Sequence, residues 1–248
     1  MSVIAAGSID PREAEQFAAL ADQWWDPDGA FRPLHRLGPV RMGFIADMVS
    51  AHLGRPRGIG QLDGLQALDV GCGGGLATEP LARLGAQTLG IDVTNKNIEA
   101  AKSHAESSGL KIDYELDTAE NLASKNRTFD LVIALEVVEH VPEPDVFLRA
   151  IATLTRPGGL LITSTINRTP KALLLAKFTA EYIVGWLPRG THNWRKFLKP
   201  SELARPLREE GLIVHKPEGV SYDLFTDDWK RSKDLSMNYM IAATRPES

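Results

Sequence analysis

Residues 66–80 read QALDVGCGGGLATEP, an apolar run that ends in a cluster of glycines and passes into a helical pattern. Gly71, Gly73, Gly74 and Gly75 are interrupted only by Cys72. Glycine permits backbone conformations and close approaches that a Cβ would forbid, so a loop of this composition is built for something to come near. A phosphate-binding P-loop is excluded, because no Gly-Lys-Ser/Thr follows. The dinucleotide fingerprint G-x-G-x-x-G is met only in part, with Leu76 standing where its third glycine belongs. A turn that merely seats a helix on a strand is the plainer alternative. Pro80 fits the first turn of the helix expected over Leu76–Leu84, where backbone donors lack intrahelical partners anyway.

Outward from this loop, short β-rich runs alternate with helical segments. The runs are Ala67–Val70, Thr88–Ile91, Ile112–Leu116, Asp130–Leu135 and Leu160–Ser164, and helical patterns cover Asn95–Ser107 and Pro144–Leu154. Such alternation implies right-handed βαβ units, hence an α/β, Rossmann-like fold whose mostly parallel sheet carries helices on both faces. A helix-like Ser201–Glu210 is followed by strand candidates Ile213–His215 and Met237–Thr244, the last expected to lie antiparallel. Residues 1–60 read as a helical leader: Phe17, Leu20, Ala21 and Trp24 are helically spaced, a turn-rich stretch follows, and a second amphipathic helix begins near Arg41. The chain divides into this leader, a core over 65–165, an insertion over 167–200 and a C-terminal helix with strands over 201–248, all in one domain.

With 248 residues, 43% of them hydrophobic, and a net charge of −4, the chain reads as an ordinary globular protein without the basic field of a nucleic-acid binder. One cysteine rules out an intramolecular disulfide and fits a reducing compartment. No basic segment followed by an apolar core opens the sequence, so a cytoplasmic location is expected.

The second strand candidate ends at Asp92, where a carboxylate can accept hydrogen bonds from both ribose hydroxyls of an adenosine. Asp69 stands where a dinucleotide fingerprint usually has an apolar residue, and a carboxylate there suits a cationic sulfonium and an amino group. Together, LDVGCGGG, GID, AENL (Ala119–Leu122), FDLVIALEVVEHV and LTRPGGLLITST resemble, in order and spacing, the class I S-adenosylmethionine-dependent methyltransferases. The glycine loop would then wrap the methionine part of that cofactor. The flanks FAALADQWWDPDGAFRPLHRLGPVRMGFI, STINRTPKALLLAKFTAEYIVGWLPRGTHNWRKFLKPSEL and MNYM are more specific, and resemble the ubiquinone-biosynthesis O-methyltransferase family over nearly the whole chain. Gly38 departs from the asparagine this family tends to carry, while Arg41 is retained.

The resemblance implies a seven-stranded sheet and an enzyme that methylates a ring hydroxyl of polyprenyl catechol and demethylubiquinol intermediates. It implies cofactor contacts at Arg41, Gly71, Asp92 and Leu135, to which the reading of the loop adds Asp69 and Gly73. Arg41 can pair with the methionine carboxylate through its planar fork. Two other readings stand beside this one: a methyltransferase acting on another small acceptor, and a scaffold that binds S-adenosylmethionine without turnover.

A phenolic hydroxyl titrates near pH 10, so methyl transfer to it at neutral pH requires a base, a metal ion or both. EVVEHV supplies Glu136, Glu139 and His140, which would share one face if a helix began there. They are candidate ligands for Mg²⁺ or another divalent ion, and Glu139 or His140 is the candidate base. His192 is a further candidate base, and equally a loop-packing histidine. In the insertion, Leu174, Phe178, Tyr182 and Trp186 form a stripe with basic residues around it. It is too short and too charged to span a bilayer, and fits either an amphipathic helix on the membrane surface or a lid packed on the sheet. A polyprenyl substrate favours peripheral contact with the inner face of the membrane and assembly with other quinone-biosynthesis proteins.

Overall fold

The computed structural model describes residues 11–173, 196–223 and 228–247. Its centre is one sheet in the order β3-β2-β1-β4-β5-β9-β7-β8, with β6 also paired to β9. β1 (Gln66–Val70), β2 (Gln87–Asp92), β3 (Asp113–Leu116), β4 (Phe129–Leu135) and β5 (Thr155–Ile166) are parallel; β9 (Asn238–Thr244) runs antiparallel to β5. Strand order reverses at β1, which lies between β2 and β4, so the crevice beyond the carboxyl ends of these strands is the expected ligand site.

The sheet has nine strands rather than the seven expected. β6 (Ile213–Val214) and β7 (Glu218–Asp223) both pair with β9, and the register slips by one residue between Val214↔Ala243 and Glu218↔Met240. They are one strand broken at Lys216–Pro217, because proline has no N–H to give the ladder. β8 (Asp228–Ser232) is an added edge strand antiparallel to β7.

Side chains alternate across the sheet as strand geometry requires. Leu68, Val70, Val132, Ala134, Leu161, Ile241 and Ala243 pack with helices α5 (Ala119–Ser124), α6 (Pro144–Leu154) and α7 (Pro200–Glu209). Ala67, Leu131, Ile133, Leu160, Ile162, Met240 and Ala242 face α2 (Arg32–Leu53) and α3 (Thr78–Arg83). Helix α4 (Asn95–Ser107) sets Ile98, Ala101 and Ala105 against Tyr114 and Cys72.

The leader departs from its expected shape. α1 (Pro11–Ala19) is followed by a short 3₁₀ turn, Ala21–Gln23, and α2 begins at Arg32 instead of near Arg41. The first part of the turn-rich stretch, residues 26–31, is turn as expected, but from Arg32 it is helical through Gly38 and Pro39. Pro39 removes one backbone hydrogen bond, yet the helix is held by burial of Leu37, Arg41, Phe44, Ile45 and Val49, and it ends on Gly54 in the left-handed conformation. No helix among the described residues is long and apolar enough to cross a membrane.

Candidate active site

The glycine loop leaves β1 at Gly71 (φ 71°) and turns twice more through positive φ, at Gly73 (53°) and Gly75 (92°). Each glycine is crowded by a neighbour. A Cβ on Gly71 would lie 2.5 Å from Val137 Cγ2, and one on Gly75 would lie 2.5 Å from the Tyr114 hydroxyl. At Gly73 and Gly74 a Cβ would run into the Trp24 indole. What approaches this loop from within the protein is therefore its own leader. Trp24 is buried, stacks on Phe31 at 3.7 Å between ring centroids, and donates from Nε1 to Asn97 Oδ1 at 2.9 Å. Trp25 donates from Nε1 to the Gly74 carbonyl at 2.8 Å and stacks on His104 at 3.4 Å.

Asp92 ends β2 below the loop. Its carboxylate accepts from the backbone N–H of Gly73 (3.0 Å) and Thr94 (2.8 Å) and from Asn97 Nδ2 (3.2 Å). The Thr94 side chain bonds it as well, so a ligand hydroxyl would share this carboxylate with those donors. Burial raises its pKa above the usual value despite these donors. Asp69 accepts from Thr78 Oγ1 at 2.6 Å and is pushed up to about 7, mainly by burial. Burial also pushes the Cys72 thiol up, which makes it a packing residue rather than a nucleophile.

Arg41 reaches the same rim from α2. The side chain is buried, with Nη2 3.0 Å from Glu136 Oε1. The approach is out of line for a hydrogen bond, and Nε and Nη2 have no hydrogen-bond partner. A buried guanidinium with unspent donors is strongly disposed toward an anionic ligand.

Residues 136–140 form a turn, not the helical face expected of them. Glu136 takes a left-handed conformation (φ 57°) as β4 ends, and its N–H donates to the Ser164 carbonyl. Its carboxylate accepts from Ser164 Oγ (2.7 Å) and Asn238 Nδ2 (3.1 Å). Glu139 turns inward, accepts from Thr165 Oγ1 at 2.8 Å, and is raised to about 7 by burial and by the Glu136 carboxylate. His140 points elsewhere: Nδ1 lies 2.5 Å from Glu13 Oε2 on α1, and the Phe17 ring meets the imidazole edge-on at 5.3 Å. Burial works against protonation of His140, but the hydrogen bond to Glu13 and the charges of Glu139, Glu13 and Glu136 overcome it and raise its pKa.

The geometry adds no support to the metal expectation. Among the described residues no three His, Cys, Asp or Glu side chains converge on a point where an ion could sit. Glu136, Glu139 and His140 are turned toward three different partners. His192 and the stripe Leu174, Phe178, Tyr182 and Trp186 lie outside the described residues. Leu135 lies half-buried at the end of β4, beside Glu136.

Sequence reasoning did not find Glu13, Trp24 and Trp25 as site residues. The paired tryptophans of QWWDPDG signalled only a buried helical stripe, and Glu13 gave no local signal at all.

A switch-point glycine loop, an acid ending β2 and an unspent arginine on the rim define a nucleotide-cofactor site, and similarity specifies the class. Residues 68–163 match the family described as "Methyltransferase domain". The solved magnesium protoporphyrin IX methyltransferase from Synechocystis PCC 6803 with bound SAM superposes with a TM-score of 0.61, covering 98% of this chain and 100% of that one at 19% identity. The fold is thus that of the methyltransferases. Over nearly their full lengths, two curated proteins are far more similar. The ubiquinone biosynthesis O-methyltransferase of Chelativorans sp. (strain BNC1) is 51% identical over 96% of this chain and 95% of its own. That of Sinorhizobium medicae (strain WSM419) is 48% identical over 99% and 100%. The chain belongs to the ubiquinone biosynthesis O-methyltransferase family.

Proposed function

We propose that this chain methylates a ring hydroxyl of polyprenyl catechol and demethylubiquinol intermediates of ubiquinone biosynthesis, with S-adenosylmethionine as donor. The observation that carries the chemistry is the rim itself, where an arginine with unspent donors and a carboxylate-held histidine stand at the ends of neighbouring elements. The residues fit the cofactor. Arg41 takes its carboxylate, Asp69 and the loop at Gly71 and Gly73 its amino-acid portion, the Asp92 carboxylate a ribose hydroxyl, and Leu135 the adenine face. When bound, the cofactor supplies an electrophilic methyl on a cationic sulfur and leaves as a neutral thioether.

His140 is the base of this account. The ring O–H bond breaks toward its imidazole, and the oxygen lone pair so strengthened makes the new bond to carbon. A positioned base of this kind is worth about 10²–10⁴-fold. Glu139, buried and hydrogen-bonded to Thr165, holds the turn. His192 is the alternative base. No step of this account is routed through a metal ion.

The acceptor's polyprenyl tail meets the insertion, whose apolar stripe and basic neighbours support peripheral contact with the membrane surface, in company with other enzymes of quinone biosynthesis. The reading is tested by methyl transfer from labelled S-adenosylmethionine to a short-prenyl catechol, with and without EDTA. Equal transfer in both supports it. Loss with EDTA and recovery with Mg²⁺ would restore a metal, and cofactor binding without any transfer would point to another acceptor or to a scaffold.

A further inference from the structure

Asp92 ends β2 beside the switch point, where an acid takes ribose hydroxyls, and donors of two kinds meet it. The N–H groups of Gly73 and Thr94 are backbone, and the loop and turn that carry them set their direction. Asn97 is a buried side chain in the first turn of α4. Its Nδ2 lies 3.2 Å from Asp92 Oδ1, while its own Oδ1 accepts from Trp24 Nε1 at 2.9 Å. An amide carries its acceptor and its donors on opposite sides, and an indole N–H can only donate. The Trp24 contact therefore turns the Asn97 oxygen toward the leader and its NH₂ group toward Asp92. An amide released from the indole could flip and set oxygen against oxygen. Asn97 and Asp92 are both buried, so a donor lost here costs more than one lost at the surface.

Trp24 keeps its place through contacts other than this hydrogen bond. It stacks on Phe31 and fills the space that a Cβ at Gly73 or Gly74 would need. Its carbonyl lies 2.8 Å from His35 Nε2, and the adjoining Trp25 is tied to the Gly74 carbonyl. Docking of the leader on the glycine loop thus delivers the indole N–H, which reaches Asp92 through one side chain.

From this geometry we infer that Asn97 is a positioning residue for the cofactor's ribose: Trp24, on the docked leader, orients its amide, and the amide holds the Asp92 carboxylate in the orientation that receives the ribose hydroxyls. Leader docking and ribose recognition are thereby coupled, and the coupling is reciprocal. The inference rests on the reading of Asp92 as the ribose ligand, and the experiment separates the two.

Kd is measured by calorimetry for S-adenosylhomocysteine and for its analogue lacking both ribose hydroxyls. The proteins are the full-length wild type, Trp24→Phe, Asn97→Ala and the double variant. Trp24→Phe keeps a ring to stack on Phe31 and removes the N–H donor. The wild type is expected to bind the analogue about tenfold or more weakly, the worth of hydrogen bonds to a carboxylate. Each single variant is expected to shrink that penalty by roughly threefold or more, and Trp24→Phe to shrink it no further in the Asn97→Ala background. A purely structural role weakens both ligands alike and leaves their ratio where it was. An unchanged or larger ratio in either single variant, or reductions that multiply in the double variant, overturns the inference and leaves the reading of Asp92 standing. Equal binding of the two ligands by the wild type removes Asp92 from the ribose, and the inference with it. If thermal melts show Asn97→Ala unfolded, Asn97→Ser takes its place in the same comparison.

Discussion

Glu139 illustrates how one residue connects stability to pH. Burial together with Glu136 lifts the pKa of its carboxyl to about 7 from an ordinary 4.5, outweighing the lowering effect of the His140 charge. Between those values the folded state holds a proton that the unfolded state has released, so stability falls as pH rises. The contribution of the protonated form is complete below pH 4.5 and is lost as pH rises through 7. Glu139→Gln keeps a hydrogen-bonding group at Thr165 and removes the titration. Thermal melts from pH 5 to 8 are expected to fall less steeply for the variant, with its advantage over wild type growing toward pH 8. Parallel curves would mean that Glu139 is ionised in the fold throughout. The identity of this residue as a site candidate was legible from EVVEHV. Its inward turn was not, because the left-handed Glu136 that breaks the expected helical face is fixed by Ser164 and Asn238, remote in sequence.

At the level of elements, legibility followed the locality of the signal. Asn95–Ser107 and Pro144–Leu154 read with their observed bounds, since each carries its own periodicity and stop. β7 and β8, with sequences EGVSYD and DWKRS, went unread because strands this polar lack the alternation of a buried face. Helix α2 was read as starting too late because Gly38 and Pro39 outweigh local propensity, whereas the fold is decided by what their neighbours bury. Two glycines separate local from tertiary effects. Gly38 has open space around a would-be Cβ and lies inside a helix, so Gly38→Ala is expected to stabilise by about 0.5–1 kcal/mol. Gly73→Ala must displace the Trp24 indole and adopt positive φ. It is expected to destabilise by about 1–3 kcal/mol and to expose the leader to limited proteolysis. Chemical denaturation of both variants checks the signs, and a protease-resistant leader in Gly73→Ala would show that Trp24 is not what the loop accommodates.

Seen whole, the molecule places its glycine loop, Arg41 and the turn at 136–140 on one rim of a sheet, with the leader drawn over them. The sheet and loop were legible because binary patterning and glycine spacing are written locally. The leader's role was not, since Glu13 to His140 and Trp24 to Asn97 are contacts that only the finished fold creates. In sequence, the insertion's stripe and basic residues suit a surface where the acceptor is dissolved. Cosedimentation with anionic liposomes is expected at low salt and is expected to weaken as salt rises. Full recovery in the supernatant at low salt would remove membrane contact from the account.

The central claim is that His140 takes the proton from a ring hydroxyl before methyl transfer. Its most direct test is the rate of methyl transfer to a short-prenyl catechol by His140→Gln at saturating S-adenosylmethionine and acceptor. The account predicts a loss of about 10²-fold or more relative to wild type, with cofactor affinity retained. A rate within about twofold of wild type would contradict it.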